Sequence, residues 1–281
     1  MKVRILGTAA GGGLPQWNCG CATCQRARLS GFRRLQDGLA ISATGRTWYL
    51  VNASPDLGTQ LAAMPEFAPP AGTRDSPIRG VLLTSAELDH VLGLMVLRES
   101  TSLTVYGTAT VLSALPFRST LEAYTTVDWH AIGPGRPVRL DAGLVVHAFA
   151  SGTKRPRYVT GSTGPDWTVA YRFQDERTGT TLVYAPGLAQ WTPAFSAGIQ
   201  GADLVILDGT FATADELPGA AEMGHLSIEE TLVHLRGNPG PEYVFTHLNN
   251  TNPFALAGPD DVARLAAAGA RVAADGEVLD G

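Results

Sequence analysis

The sequence predicts a layered α/β protein, and three observations carry that expectation. Apolar runs of about five residues recur along the 281-residue chain, the length of a buried strand rather than of a helix. Helix-type patterns fall between them. No linker or low-complexity tract divides the chain. At roughly 150 residues per domain the length would allow two domains, although layered folds reach this size as one.

The elements follow in order. Val3–Leu6 opens the chain as a strand, and Leu39–Ser42 and Thr47–Val51 are the next two. Ser54-Pro55-Asp56 starts a helix over Asp56–Ala63. The Pro- and Gly-rich stretch Glu66–Pro77 is a surface loop. Strand Gly80–Leu83 leads to helix Val91–Ser100, and strand Leu103–Tyr106 to helix Ala109–Leu115. Strands Leu144–Ala148, Thr168–Phe173, Thr180–Tyr184 and Leu204–Leu207 come next, with a loop at Ser151–Pro165 of the kind that borders active sites. Ser227 stands three residues before Glu230, a capping box opening helix Ser227–Leu235. Strand Tyr243–Phe245 precedes a last helix, Pro259–Ala268, started by Asp260. Four strands run out into polar or glycine-bearing loops, in GVLLTSAELDH, LVYAPGLA, LVILDGTF and EYVFTHLNN. In layered α/β proteins such strand ends meet at one edge, where sites are built.

Composition excludes several classes of function. Lys plus Arg number 21 against 26 Asp plus Glu, a net charge of −5, which offers nothing to nucleic acid or an anionic membrane. Hydrophobic residues at 44% and charged residues at 17% exclude wholesale disorder. No run approaches the roughly 18 apolar residues of a membrane span. The start, MKVRILGTAAGGG, lacks the pattern of a signal peptide, so a cytoplasmic protein with reduced thiols is expected.

The chemistry lies in three cysteines and six histidines. All three cysteines fall in Trp17-Asn18-Cys19-Gly20-Cys21-Ala22-Thr23-Cys24, too few and too close for a disulfide framework. Thiolates at this spacing can converge on one zinc ion, which wants four tetrahedral ligands. Three buried, inert thiols or a redox pair at Cys21 and Cys24 are the rival readings. Asp89 and His90 follow a strand at the turn into a helix, where both can face one cation. A helix cap with a surface histidine would look the same. His247 also follows a strand directly, and the parallel raises it above an ordinary polar histidine. His225 precedes the capped helix, as an acid/base group beside a metal or as a local hydrogen-bonding residue. His130, His147 and His234 read as scaffold.

At these residues the chain resembles the metallo-β-lactamase fold superfamily, and within it the pyrroloquinoline quinone biosynthesis protein B family. ILGTAAGGGLPQWNCGCATC, VNASPDL, LTSAELDHVLGL, VYAPGL, LDGT, MGHLS and FTHLNNTNP carry the resemblance in that order over nearly the whole chain. It implies a four-layer αββα sandwich formed as a single domain, 1–281, with the metal site at one edge.

The superfamily motif His-x-His-x-Asp-His serves two adjacent metals. Here Ser85 and Glu87 stand at its first two histidine positions, and Asp89 and His90 remain. The bridging aspartate is matched to Ala185, and the remaining histidine has no counterpart near Ser151. The resemblance thus leaves Asp89, His90 and His247 as ligands. Two histidines and one carboxylate are the mark of non-haem Fe(II) oxygen chemistry. The family implies a hydroxylase using Fe(II) and O₂ on the tyrosine ring of a glutamate–tyrosine-derived small molecule or dipeptide. His225 takes the position of an acid/base group, Asp208 that of a supporting carboxylate, and Ser85 and Glu87 line the pocket. Lys154, Arg155 and Arg157 read as a solvated basic loop, with contact to substrate carboxylates as the rival reading. Related phosphodiesterases hold a structural zinc on a similar cysteine cluster, with a histidine where this chain has Asn250. The fourth partner of Cys19, Cys21 and Cys24 is therefore Asn250, His225 or water. Two other classes of function stay open, a zinc hydrolase and a non-catalytic carrier of the finished quinone.

Overall fold

The computed structural model describes residues 1–161 and 163–280. Ser162, in the expected loop Ser151–Pro165, and Gly281, at the end of the expected single domain 1–281, lie outside them. The first half of the chain carries strands β1 (Lys2–Gly7), β2 (Gly38–Ser42), β3 (Trp48–Val51), β4 (Ile78–Leu82), β5 (Ser102–Gly107) and β6 (Thr126–Ala131). The second half adds β7 (Val138–Arg139), β8 (Leu144–Gly152), β9 (Thr168–Asp175), β10 (Thr181–Ala185), β11 (Leu204–Asp208), β12 (Glu242–Thr246), β13 (Ala270–Val272) and β14 (Val278–Asp280). They form two seven-stranded sheets, ordered β14-β1-β2-β3-β4-β5-β6 and β13-β12-β11-β10-β9-β8-β7. Strands β3 to β6 run parallel, as do β10 to β13, so each sheet sends several C-terminal strand ends the same way.

The helices are α1 (Ala22–Ser30), α2 (Leu57–Ala62), α3 (Leu88–Val91), α4 (Ala109–Ser113), α5 (Arg118–Glu122), α6 (Pro193–Ile199), α7 (Ile228–Leu235) and α8 (Pro259–Ala267). Three apolar layers explain the architecture. Val51 and Leu82 of one sheet meet Tyr171, Ile206 and Val244 of the other in a central core. Leu50, Val81 and Val105 face Leu57, Val91 and Leu112 on the outer side of the first sheet. Val183 and Val205 face Phe195, Ile228 and Leu265 outside the second. The order of layers is αββα, as the resemblance implied. In β11 successive side chains alternate between the two cores, Leu204 and Ile206 inward, Val205 and Leu207 outward. A strand buried on both faces reads as one continuous apolar run, which is why the central strands are visible in the sequence. Each fully buried Val, Leu or Ile stabilises by about 1.5–3 kcal/mol.

Several expected elements change. The helix expected at Val91–Ser100 is α3 followed by 3₁₀ turns at Leu92–Met95 and Leu97–Glu99. Gly93 explains the tight path, because a Cβ there would stand 2.3 Å from the Ser54 carbonyl oxygen. Asp56 does not cap α2 with its side chain; its Oδ2 accepts from the Gln36 amide at 2.8 Å. The last helix is capped at Gly258, not Asp260, with Asp261 accepting from the Gly258 amide at 3.0 Å. The capping box of Ser227 and Glu230 is present. Cys24 is not in a loop but in the first turn of α1, where Cys21 Sγ accepts from its amide at 3.4 Å. Among the described residues no helix is long and apolar enough to cross a membrane.

Candidate metal centre

The two sheets are laced together at the edge where their parallel strands end. Ser85 bridges to Thr168, and Ala9 to Leu248. Asp89 and His90 lie in α3, just beyond β4. Their segment is clamped by Asn52, in the left-handed region at φ 63°. Its Oδ1 accepts from both the amide and the hydroxyl of Thr84 at 3.0 Å. The His90 carbonyl accepts from the Ala53 amide at 2.7 Å. On the other side Asp89 packs against the glycine-rich loop, where a Cβ on Gly11 would stand 3.2 Å from Asp89 Oδ2.

The imidazole of His90 is buried and its orientation is set from one edge. Its Nδ1 lies 2.7 Å from Ser85 Oγ and 3.3 Å from Thr84 Oγ1. The Thr84 hydroxyl is already a donor to Asn52, and Ser85 Oγ also accepts from the Glu87 amide at 3.2 Å. Both oxygens suit an Nδ1–H, which leaves the lone pair on Nε2. That Nε2 is buried and has no hydrogen-bond partner. Leaving a buried acceptor unpaired costs about 1–3 kcal/mol, a cost that a bound cation removes.

His247 is oriented the same way. It follows β12 directly, at φ 58°. Thr210 Oγ1 donates to Asp208 Oδ1 at 2.6 Å and accepts from His247 Nδ1 at 2.9 Å. Nε2 of His247 then faces Asp89 Oδ2 at 3.3 Å. Asp89, His90 and His247 each offer a ligand atom within 4.8 Å of the others, so one ion can touch all three. Hydroxyl groups that grip the far nitrogen of a histidine fix its tautomer for metal binding.

The charges also favour a cation. Burial pushes His90 down to about 4, so it is neutral at pH 7. Burial works against charge on His247 too, but the bond to Asp89 and the charges of Asp89, Asp37 and Asp208 lift it to about 9. Burial would raise the Asp89 carboxyl, yet His90 and His247 hold it well below the usual range. A positive charge between Asp89 and His247 is therefore stabilised, and the donor set fits a divalent ion.

Asp208 and His225 form a second pair beside it. Asp208 ends β11 and is fully buried. Its Oδ2 accepts from His225 Nδ1 at 2.6 Å and from the Leu188 amide at 2.8 Å. Its Oδ1 accepts from the amide and the hydroxyl of Thr210 at 2.9 and 2.6 Å. Asp208, His225 and His247 are also close enough to share an ion, but four hydrogen bonds leave Asp208 little to offer one. It orients His225 instead, leaving Nε2 of that ring for the cavity.

The cavity is lined by Asp89, His90, His225 and His247, with Ser85, Glu87, Lys154 and Phe211 among the walls. Ser85 and Glu87 line it as the sequence predicts, and Ser85 also holds His90. Lys154 departs from its solvated reading, because Nζ lies 3.4 Å from Glu87 Oε1 at the cavity. Ala185 departs as well. It is packed in the outer core with Phe195, and the residue of its loop that reaches the cavity is Gly187. His130 stacks on Tyr106 and His234 on Trp191, and neither they nor His147 line the cavity. Sequence reasoning missed Asp37, a fully buried carboxylate bound by the hydroxyls of Tyr184 and Thr246. Burial pushes it up to about 6. The only local signal was an acidic residue set immediately before an apolar strand.

Cys19, Cys21 and Cys24 converge, their sulfurs within 4.8 Å of one another. Asn250 meets them, with Nδ2 at 3.1, 3.7 and 3.4 Å from the three sulfurs in that order. Burial works against a thiolate on Cys21, but hydrogen bonds from the Cys24 amide, Cys19, Cys24 and Asn250 draw its pKa below the ordinary value. The amide of Asn250 stands where a fourth zinc ligand belongs and presents Oδ1 when turned over. His225 stands in the cavity with Asp208 and His247 instead, away from the cysteine cluster.

A β-lactamase superfamily domain model matches residues 47–248. Coenzyme PQQ synthesis protein B of Cupriavidus necator is 37% identical over 301 aligned positions, covering 98% of each chain. The protein of that name from Methylorubrum extorquens AM1 is 36% identical over 298 positions, covering all of both. The crystal structure of Zn²⁺-bound PqqB from Methylobacterium extorquens superposes with a TM-score of 0.90 at 34% identity over the whole of both chains. A diphosphatase of the PhnP family, at 18% identity and a TM-score of 0.74 over all of this chain and 97% of its own, shares the fold. Match, coverage and architecture agree, and the chain belongs to the coenzyme PQQ synthesis protein B family, on the β-lactamase superfamily fold.

Proposed function

We propose that this protein is an iron(II)- and O₂-dependent hydroxylase acting on the tyrosine ring of a glutamate–tyrosine-derived intermediate. Membership of the family supports a role in making pyrroloquinoline quinone. The observation that carries the reading is the donor set: one carboxylate and two imidazoles, each offering a ligand atom within 4.8 Å of the others. Asp89, His90 and His247 would hold the ion. When bound there, iron(II) supplies open positions for O₂ and a substrate oxygen.

The other roles belong to the chain itself. His225, gripped by Asp208, takes the phenolic proton of the substrate at Nε2. Thr210 keeps His225 and His247 in register, since its hydroxyl lies 3.1 Å from one Nδ1 and 2.9 Å from the other. Phe211 and Met223 supply an apolar wall against the ring. Cys19, Cys21, Cys24 and Asn250 would hold a structural zinc, bracing the segment that carries His247.

The zinc in the Methylobacterium extorquens relative favours a second reading, a zinc-dependent hydrolase. Against it stand Ser85 and Glu87. One hydroxyl is committed to His90 and one carboxylate is paired with Lys154, so neither furnishes a second metal.

The test is anaerobic loading with iron(II), then O₂, a tyrosine-containing dipeptide and ascorbate, which supplies the two electrons that take the second oxygen atom to water. Mass spectrometry is expected to show one oxygen atom inserted. An unchanged dipeptide, with iron shown to be bound, overturns the reading. Metal-dependent ester or phosphodiester cleavage without O₂ establishes the second one.

A further inference from the structure

Glu87 and Lys154 form a charged wall in the cavity that metal binding does not use. Glu87 stands two residues before Asp89, and Lys154 follows β8 in the opposite sheet. Glu87 Oε1 is buried and accepts no hydrogen bond, and its cation stands off at 3.4 Å. Lys154 Nζ carries three donors, with Glu87 as its ion-pair partner. The pair is thus held close but incompletely satisfied.

The chain holds the two segments that carry these side chains together from both sides. Tyr158, in the loop of Lys154, donates to the Ala86 carbonyl, next to Glu87. Ser85 bridges to Thr168, whose hydroxyl donates to the Lys154 carbonyl at 3.4 Å. The stem of Lys154 lies against Gly224, where a Cβ would stand 3.4 Å from Lys154 Cβ, so the segment before His225 rests on it.

We infer that Glu87 and Lys154 form a subsite for a free α-amino-acid head group, Lys154 taking the carboxylate and Glu87 the ammonium. The inference deepens the hydroxylase reading and rests on its view of the cavity as the substrate site. An amino acid carries both charges on one carbon, so its head group can pair with both side chains once the Lys154 ammonium swings off Glu87. Two charge-assisted hydrogen bonds then replace one loose ion pair. The side chain is left directed at Asp89 and His225, which line the same cavity. The subsite selects a free amino acid or a peptide terminus over an embedded residue, whose head group is neutral.

The experiment is calorimetry on the zinc-loaded protein, which binds without turning over. The probes are L-tyrosine, tyramine, which lacks the carboxylate, and 3-(4-hydroxyphenyl)propionate, which lacks the ammonium. Wild type is expected to bind L-tyrosine about tenfold or more tightly than either analogue. Lys154→Met should bind L-tyrosine and tyramine equally, and Glu87→Gln should bind L-tyrosine and the propionate equally. Zinc content measured alongside shows that the site is assembled in each variant. Equal binding of the three probes by wild type, no binding of any, or full discrimination kept by both variants overturns the inference. If discrimination follows the variants but no oxygen is inserted in the iron assay, the hydroxylase reading falls and the subsite stands. If oxygen is inserted and discrimination ignores the variants, only the subsite falls.

Discussion

His247 Nε2 lies 3.3 Å from Asp89 Oδ2, across 158 positions of sequence. One group comes from the end of β12 in the second sheet, the other from the helix that follows β4 in the first. Their meeting depends on the sandwich being closed, so the metal centre reports on the whole fold.

Removing a ligand should empty one site and spare the other. Asp89→Asn, His90→Ala and His247→Ala are each expected to lose the cavity metal while keeping the metal of the cysteine cluster. Element analysis per chain checks this, with two metals falling to one.

The cysteine cluster should behave as a brace. Cys24 is buried against the outer core that contains Phe254 and Leu248, and a structural zinc contributes directly to folding. Cys24→Ser is expected to cost about 2–3 kcal/mol, which lowers Tm by roughly 5–10 °C at this chain length. Asn250→His, which places a stronger zinc ligand against the three sulfurs, should resist a competing chelator better than wild type. Asn250→Ala should resist it less.

Thr210→Val keeps the size of the side chain and removes its hydroxyl. His247 Nδ1 loses its acceptor and Asp208 one of its donors. Affinity for the cavity metal should fall about 10–100-fold, as for other groups that hold a ligand in place. Titration with zinc against a fluorescent chelator measures it.

Metal-free protein should lose stability as pH rises from about 6.5 to about 9. His247 is raised to about 9 in the folded chain, from an ordinary 6.5. Its folded form holds a proton that the unfolded form releases earlier. The stabilisation is complete below pH 6.5 and gone above the folded value. The loss amounts to about 3 kcal/mol at most, at 1.36 kcal/mol per pH unit. Chemical denaturation across this range should show the slope in wild type after chelation and not in His247→Gln.

His225→Gln and Asp208→Asn should leave the cavity metal in place and slow turnover about 10²–10⁴-fold, the usual contribution of a positioned acid or base. Metal content and product formation, measured on the same samples, separate this outcome from loss of the site.

The central strands were legible because both faces are buried, and burial on both faces writes a continuous apolar run. β6 was not, since its TVDWHA alternates and is largely exposed. α1 and α6 were also missed. α1 buries only Thr23, Cys24 and Ala27, which writes no apolar stripe, and α6 is short, although Thr192 before Pro193 is a cap signal and does accept from the Phe195 amide at 3.1 Å.

By itself the sequence determined the donor chemistry. Three thiols in one short segment, an Asp-His pair and a lone histidine after strands, and Ser85 and Glu87 just ahead of that pair are all local facts. Only the tertiary structure decided how those donors are held. It put Ser85 behind His90, Thr210 behind His247 and Asp208 behind His225, and it brought Lys154 to Glu87 and Asn250 to the cysteines. The reason is physical: a ligand's identity is written in one residue, whereas the hydrogen bond that aims it joins strand ends from opposite sheets and exists only once the core has closed.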